Sequence, residues 1–210
     1  MDTTVSELIN NEEFRRTMFL YSAALREMNT KIQIINDEFT LKHTTNPIEH
    51  IKSRLKTPES ILGKLRRRGY KLTLDNALSY IDDIAGMRII CSFTKDIYTL
   101  SDIIASQSDI TILKIKDYIA NPKKNGYRSY HMLVDVPVFM SDKKMSARVE
   151  IQIRTIAMDF WASLEHKMRY KFESKVPEHL NFDLLECAEI VSYLDEKMMS
   201  LNNEIEKCKV

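Results

Sequence analysis

Glu150, Gln152 and Arg154 alternate with Val149, Ile151 and Ile153 in the run Val149-Glu150-Ile151-Gln152-Ile153-Arg154-Thr155. A period of two predicts a β-strand with one ionic and one apolar face. Such a strand most often simply wets one face. Here two further strand-like runs carry ionic or hydrogen-bonding side chains in the same way, and a dense basic segment lies upstream. The polar faces of these strands could converge on a charged ligand and present it to Glu150.

Residues 52–71 supply the cations. Thr57 and Pro58 make a good N-cap and first-turn pair and Gly69 a good stop, so a short helix is expected over 58–68. Ser60, Lys64 and Arg67 follow at i, i+4 and i+7 on one stripe of it. Basic residues late in a helix suit its dipole and need mean no more than a solvated end. Arg54 and Lys56, however, add charge at the other end, where free amide groups also favour an anion. A hydroxyl, several cations and free N–H groups suit a polyphosphate; the rival ligand is a nucleic-acid backbone. Asp82 and Asp83 form a turn signal just before Arg88, at the start of the next strand. In the loop Asn121-Pro122-Lys123-Lys124-Asn125-Gly126, the ring of Tyr127 follows basic residues. It could pack, or present its face to a base.

The elements that must hold these residues are read from periodicity. A long helix is expected over 7–40, with Phe14, Met18, Tyr21, Leu25, Met28, Ile32, Ile35 and Phe39 on a narrow seam. That seam could cross the chain's own core or meet another subunit. Helices are expected over 72–84 and 95–106, and strands over 87–93, 110–115 and 132–136, with a hairpin through 141–144 leading into the Glu150 strand. A helix over 156–171 is expected to set Ile156, Phe160, Trp161, Leu164 and Met168 into the core. From Leu184 to Cys208 a heptad seam returns, and it too could pair within a subunit or between subunits.

Composition limits the alternatives. With 44% hydrophobic and 29% charged residues the chain is expected to be globular. Its net charge of +1 means that any preference for polyanions comes from local clustering. No secretory signal and no run of about 18 apolar residues is visible, so no membrane association is expected. Cys91, Cys187 and Cys208 are odd in number and widely spaced, which fits a reducing cytoplasm rather than disulfides or zinc.

The motifs Arg54-Leu55-Lys56 with Ser60 and Lys64, Asp83-Ile84-Ala85-Gly86-Met87-Arg88, Lys123-Lys124-Asn125-Gly126-Tyr127-Arg128-Ser129-Tyr130-His131, and the Glu150 strand occur in that order. Together they resemble the synthetase domain of the Rel/Spo alarmone family, most closely its small single-domain members. The resemblance implies an α/β (α+β) fold: a central mixed β-sheet of about five strands flanked by helices. It is a nucleotidyltransferase-like synthetase fold with long terminal helices. It divides the chain into an N-terminal helical extension (1–45), a catalytic domain (46–175) and a C-terminal helix for oligomerisation (176–210).

The activity implied is transfer of pyrophosphate from ATP to the 3′-hydroxyl of GDP or GTP, making ppGpp or pppGpp and AMP for the stringent response. By resemblance, Asp83 and Glu150 hold Mg²⁺, and Glu150 orients or deprotonates the 3′-hydroxyl. Lys56, Ser60, Lys64 and Arg67 hold ATP phosphates, and Arg54 and Arg88 stack on adenine. Tyr127 stacks on guanine, Lys123, Asn125 and His131 fix the acceptor's phosphates or sugar, and Gln152 supports that site. Asp159 stands where some small relatives have Asn. Lys114-Ile115-Lys116-Asp117 resembles a basic motif that goes with acceptance of GTP as well as GDP. The small members are homotetramers. No His-Asp dipeptide occurs, so synthesis without hydrolysis is expected. The competing expectation is a regulatory protein that binds nucleotides or single-stranded RNA on the same fold without catalysis.

Overall fold

The computed structural model of the chain describes residues 11–42, 46–170 and 177–208. The long first helix, α1 (Glu12–Lys42), begins where the Asn11 side-chain oxygen accepts from the amides of Glu13 and Phe14. Then come β1 (Ile48–Leu55), α2 (Pro58–Arg67), α3 (Leu74–Tyr80), β2 (Ala85–Cys91), α4 (Thr94–Ala105) and β3 (Thr111–Asp117). The chain closes with β4 (Tyr130–Phe139), β5 (Lys144–Thr155), α5 (Ile156–Tyr170) and α6 (Glu178–Cys208).

The five strands form one mixed sheet in the order β1-β2-β5-β4-β3. β2 and β5 run parallel and the other neighbours antiparallel. The expected mixed α/β sheet is therefore present. β5 lies at its centre, between β2 and β4, which is why its apolar residues Val149, Ile151 and Ile153 are fully buried. The first seam lies in the subunit's own core: Phe14, Tyr21, Leu25, Met28, Ile32 and Ile35 are buried with the sheet's apolar residues, and Met18 and Phe39 pack against them. Of the two destinations open to that seam, the internal one is taken. The part of the expected helix before residue 11 lies outside the described residues.

Other expectations shift. The helix expected over 72–84 is only Leu74–Tyr80, because Ile81 is extended and the chain turns at Asp82 and Asp83 to enter β2. β1 was not expected as a strand. It is an edge strand, largely exposed and polar, so the alternation that marks a half-buried strand is missing from its sequence. On α5, Trp161 is buried as expected and donates to the Leu184 carbonyl at 3.0 Å. Ile156, Phe160, Leu164 and Met168 are instead exposed, and Met158 and Ala162 take the buried places. The helix presents a different arc to the sheet than its apolar residues alone suggest.

α6 is divided along its length. Ala188 is buried with Trp161, Leu184 and Val191 pack on them, and Thr155 Oγ1 donates to Asp195 Oδ2 at 2.7 Å. Leu194 on the same seam is exposed, as are Met198, Leu201 and Ile205 beyond Asp195. No helix among the described residues is long and apolar enough to cross a membrane.

Candidate active site

Residues paired across neighbouring strands share a face of the sheet. The register therefore aligns Lys52, Arg88, Gln152, His131 and Lys116 in one row across all five strands. Two residues along the strands, Arg54, Gly86, Glu150, Leu133 and Lys114 make the adjacent row. Polar side chains that are far apart in the chain thus become a two-row array. Gly86 is the gap in it: a Cβ built there meets nothing nearer than the Arg54 carbonyl oxygen at 4.0 Å. That gap opens a cleft of about 420 Å³ lined by Lys52, Ser53, Arg54, Asp83, Gly86, Met87, Arg88, Glu150 and Gln152.

Asp83 and Glu150 are the carboxylates of this lining. Asp83 Oδ2 accepts from Lys56 Nζ at 2.6 Å and Oδ1 from Lys64 Nζ at 2.8 Å. Burial pushes its carboxyl up, but the hydrogen bonds and charges of the two lysines override this and hold it below the ordinary 3.8. Glu150 Oε2 accepts from Gln152 Nε2 at 2.9 Å, and Oε1 faces His131 Nδ1 at 3.6 Å. Burial again raises its carboxyl, and the His131 and Gln152 donors override it, leaving Glu150 below 4.5. Both groups are thus ionised at neutral pH. Two ionised carboxylates beside an open gap fit a hard divalent cation such as Mg²⁺. No group of three or more His, Cys, Asp or Glu side chains suited to a metal occurs among the described residues. The protein would then supply part of the coordination and a phosphate ligand the rest, the usual arrangement for Mg²⁺.

A second cluster adjoins the first through Gln152 and His131. Tyr127 OH lies 2.8 Å from His131 Nε2, and Lys123 Nζ sits 4.7 Å and 4.5 Å from the ring centres of Tyr118 and Tyr127. Burial and the charge of Lys116 draw Lys123 below its ordinary value. The loop is pinned from outside: Asn125 Nδ2 donates to Glu165 Oε1 on α5, and Gly126, at φ +85°, packs against Ala188 and Leu185 of α6. Between the clusters, Asp159 Oδ1 pairs with both Arg88 Nη1 at 3.1 Å and Arg154 Nη1 at 3.0 Å.

Of the expected residues, Arg54, Asp83, Arg88, Glu150 and Gln152 line one cleft, and Lys56 and Lys64 reach it through Asp83. Lys123, Tyr127 and His131 form the neighbouring cluster. Ser60 and Arg67 are exposed on α2 outside the cleft lining, and the Ser60 hydroxyl pairs with Thr57 Oγ1 at 3.1 Å. The Asn125 side chain turns to α5 and to the Tyr127 amide, so it braces the loop. Lys52, Tyr118 and Arg154 were not expected. Arg154 was signalled by sharing the polar face of Glu150 and Gln152; Lys52 was hidden because β1 was not recognised.

A mixed sheet with two carboxylates in a cleft, cations on one side and an aromatic and cationic cluster on the other, makes a site fitted to the phosphates and bases of nucleotides. The comparisons agree. Residues 53–175 match the family described as a region found in RelA and SpoT proteins. GTP pyrophosphokinase YwaC of Bacillus subtilis is 48% identical, over 93% of each chain. The crystal structure of small alarmone synthetase 1 from B. subtilis bound to its product pppGpp superposes with a TM-score of 0.84 at 35% identity, covering 93% of this chain and 99% of that one. The same synthetase bound to AMPCPP gives 0.77 at 31% identity, covering 94% and 100%. The chain belongs to the RelA/SpoT family, among its small alarmone synthetases.

Proposed function

We propose that this chain is a GTP pyrophosphokinase that moves the terminal pyrophosphoryl group of ATP to the 3′-hydroxyl of GDP or GTP, releasing AMP. The observation that carries this is the shared cleft of Asp83 and Glu150, with the Lys56 and Lys64 cations on Asp83 and the Lys123, Tyr127 and His131 cluster adjoining Glu150. Mg²⁺, when held by these two carboxylates, would neutralise phosphate charge and polarise the phosphorus under attack. Arg54 and Arg88, planar and always charged, bracket the adenine. Lys56 and Lys64, now on Asp83, are within reach of the donor phosphates, with Ser60 and Arg67 farther out on the same helix. Tyr127 offers its ring to guanine, Lys123 and His131 its phosphates or sugar, and Gln152 steadies Glu150. Glu150 orients the 3′-hydroxyl and accepts its proton as the new bond forms. Its depressed basicity suits orientation and metal binding better than early deprotonation.

A binding protein without catalysis has no need of ionised metal-binding carboxylates beside a phosphate site. The same proposal includes a homo-oligomer, with copies covering the exposed seam of α6, and synthesis in the cytoplasm, where both substrates are found. The test is incubation with labelled ATP, Mg²⁺ and GMP, GDP or GTP in parallel. AMP and a labelled guanosine product are expected with GDP or GTP. Absence of both ends the proposal.

A further inference from the structure

Arg154 has no place in the roles above, yet it is a charged side chain left 5% exposed. Its guanidinium donates from Nε to Ser129 Oγ at 3.3 Å, from Nη1 to Asp159 Oδ1 at 3.0 Å, and from Nη2 to both Tyr127 OH at 2.6 Å and Gln152 Oε1 at 2.9 Å. Arginine can only donate, which fixes the direction of every bond downstream.

Gln152 must turn its carbonyl oxygen to Arg154, so its amide nitrogen faces Glu150, where it lies 2.9 Å from Oε2. The Tyr127 oxygen accepts from Arg154, which leaves its own proton to be donated to its other partner, His131 Nε2, 2.8 Å away. An imidazole that accepts at Nε2 carries its proton on Nδ1, and His131 Nδ1 is the atom that faces Glu150 Oε1. Both arms leave Arg154 and return to the two oxygens of one carboxylate.

We infer that Arg154 is a positioning residue that sets the hydrogen-bond polarity around Glu150, by fixing the Gln152 amide in one arm and the His131 tautomer, through Tyr127, in the other. It lies outside the cleft lining. It holds the Gln152 amide on Glu150 Oε2 and turns the His131 Nδ1 proton toward Oε1, which leaves the remaining lone pairs for the cleft. With either arm reversed, Glu150 would face a carbonyl oxygen or a bare imidazole nitrogen and would swing away. The kinetic consequence rests on the pyrophosphokinase reading; the proton arrangement does not.

The test is therefore in two parts. In protein labelled with ¹⁵N-histidine, the ring nitrogen shifts of His131, identified by their loss in His131→Asn, should show the Nδ1–H tautomer. Tyr127→Phe, which keeps the ring and removes only the hydroxyl, should move His131 toward the Nε2–H form, and Arg154→Met should do the same. An Nε2–H signal in the unmodified chain, or one unaffected by Tyr127→Phe, overturns the inference even if Arg154→Met does not fold. In the labelled-ATP assay, Arg154→Lys should lower kcat about 10–100-fold, as for other residues that orient a metal ligand, with the KM for ATP changed about twofold or less. Unchanged kcat overturns the kinetic half. An unmodified chain that makes no AMP would instead end the pyrophosphokinase reading, and leave the tautomer result standing.

Discussion

Asp83, in the turn before β2, and Glu150, at the middle of β5, open onto one cleft because Gly86 is the parallel-strand partner of Glu150. A side chain at that register position would project into the cleft beside the Glu150 carboxylate. The glycine thus decides whether two distant acidic residues can share a ligand.

Glu150→Gln removes a charge while keeping shape. Gln can still meet Gln152, but it cannot bind a cation strongly or accept a proton. Turnover should fall by about 10²–10⁴-fold, while calorimetry with a non-hydrolysable ATP analogue shows donor binding little changed. Equal losses in both would make Glu150 a structural residue.

Asp83 links pH to stability. Its folded pKa lies below the ordinary value, so its contribution is fully present above the unfolded-state pKa and is lost as pH falls through the lower folded one. Asp83→Asn should therefore cost stability at neutral pH, since it leaves Lys56 and Lys64 facing each other without a counter-charge. The carboxylate is only partly buried, so about 1–3 kcal/mol is expected rather than the full cost of breaking a buried pair. Thermal melts should show the gap between variant and parent closing below about pH 4. A gap constant with pH would mean that the ion pairs do not carry it.

Gly126 meets two obstacles to a side chain: φ is +85°, and an added Cβ would lie 2.4 Å from Ala188 Cβ. Gly126→Ala should lose about 1–3 kcal/mol, or roughly 3–10 °C of Tm, and raise the KM for GDP by displacing Tyr127. Adding Ala188→Gly should recover part of both by restoring the space. No recovery would place the whole cost in the backbone.

The distal part of α6 can be separated from the part that packs on the 123–128 loop. Ending the chain after Glu196 keeps Ala188 and the Asp195–Thr155 hydrogen bond, while removing Met198, Leu201 and Ile205. Light scattering should report a smaller assembly, with the monomer still folded. An unchanged mass would show that the exposed seam holds no copies together.

The local structure was written in the chain. Period-two alternation marked β5, Thr57-Pro58 and Gly69 bounded α2, and heptads marked α1 and α6, because these signals depend on neighbours a few residues away. The resemblance carried most of the site residues, including two carboxylates that turned out to share a cleft.

What those signals did not contain was where each face would end up. The seams of α1 and α6 read alike, yet one is buried on the sheet and the other is exposed beyond Asp195, since burial depends on what lies opposite. β1 escaped notice because an edge strand need not alternate. Arg154 looked like one polar residue among three on a strand. Gln152 and Asp159 are near it in the chain, but only the pairing of β4 with β5 and the return of the 123–128 loop added Ser129 and Tyr127 as acceptors. Hydrogen-bond direction is a property of partners meeting in space, and only the tertiary structure assembles them.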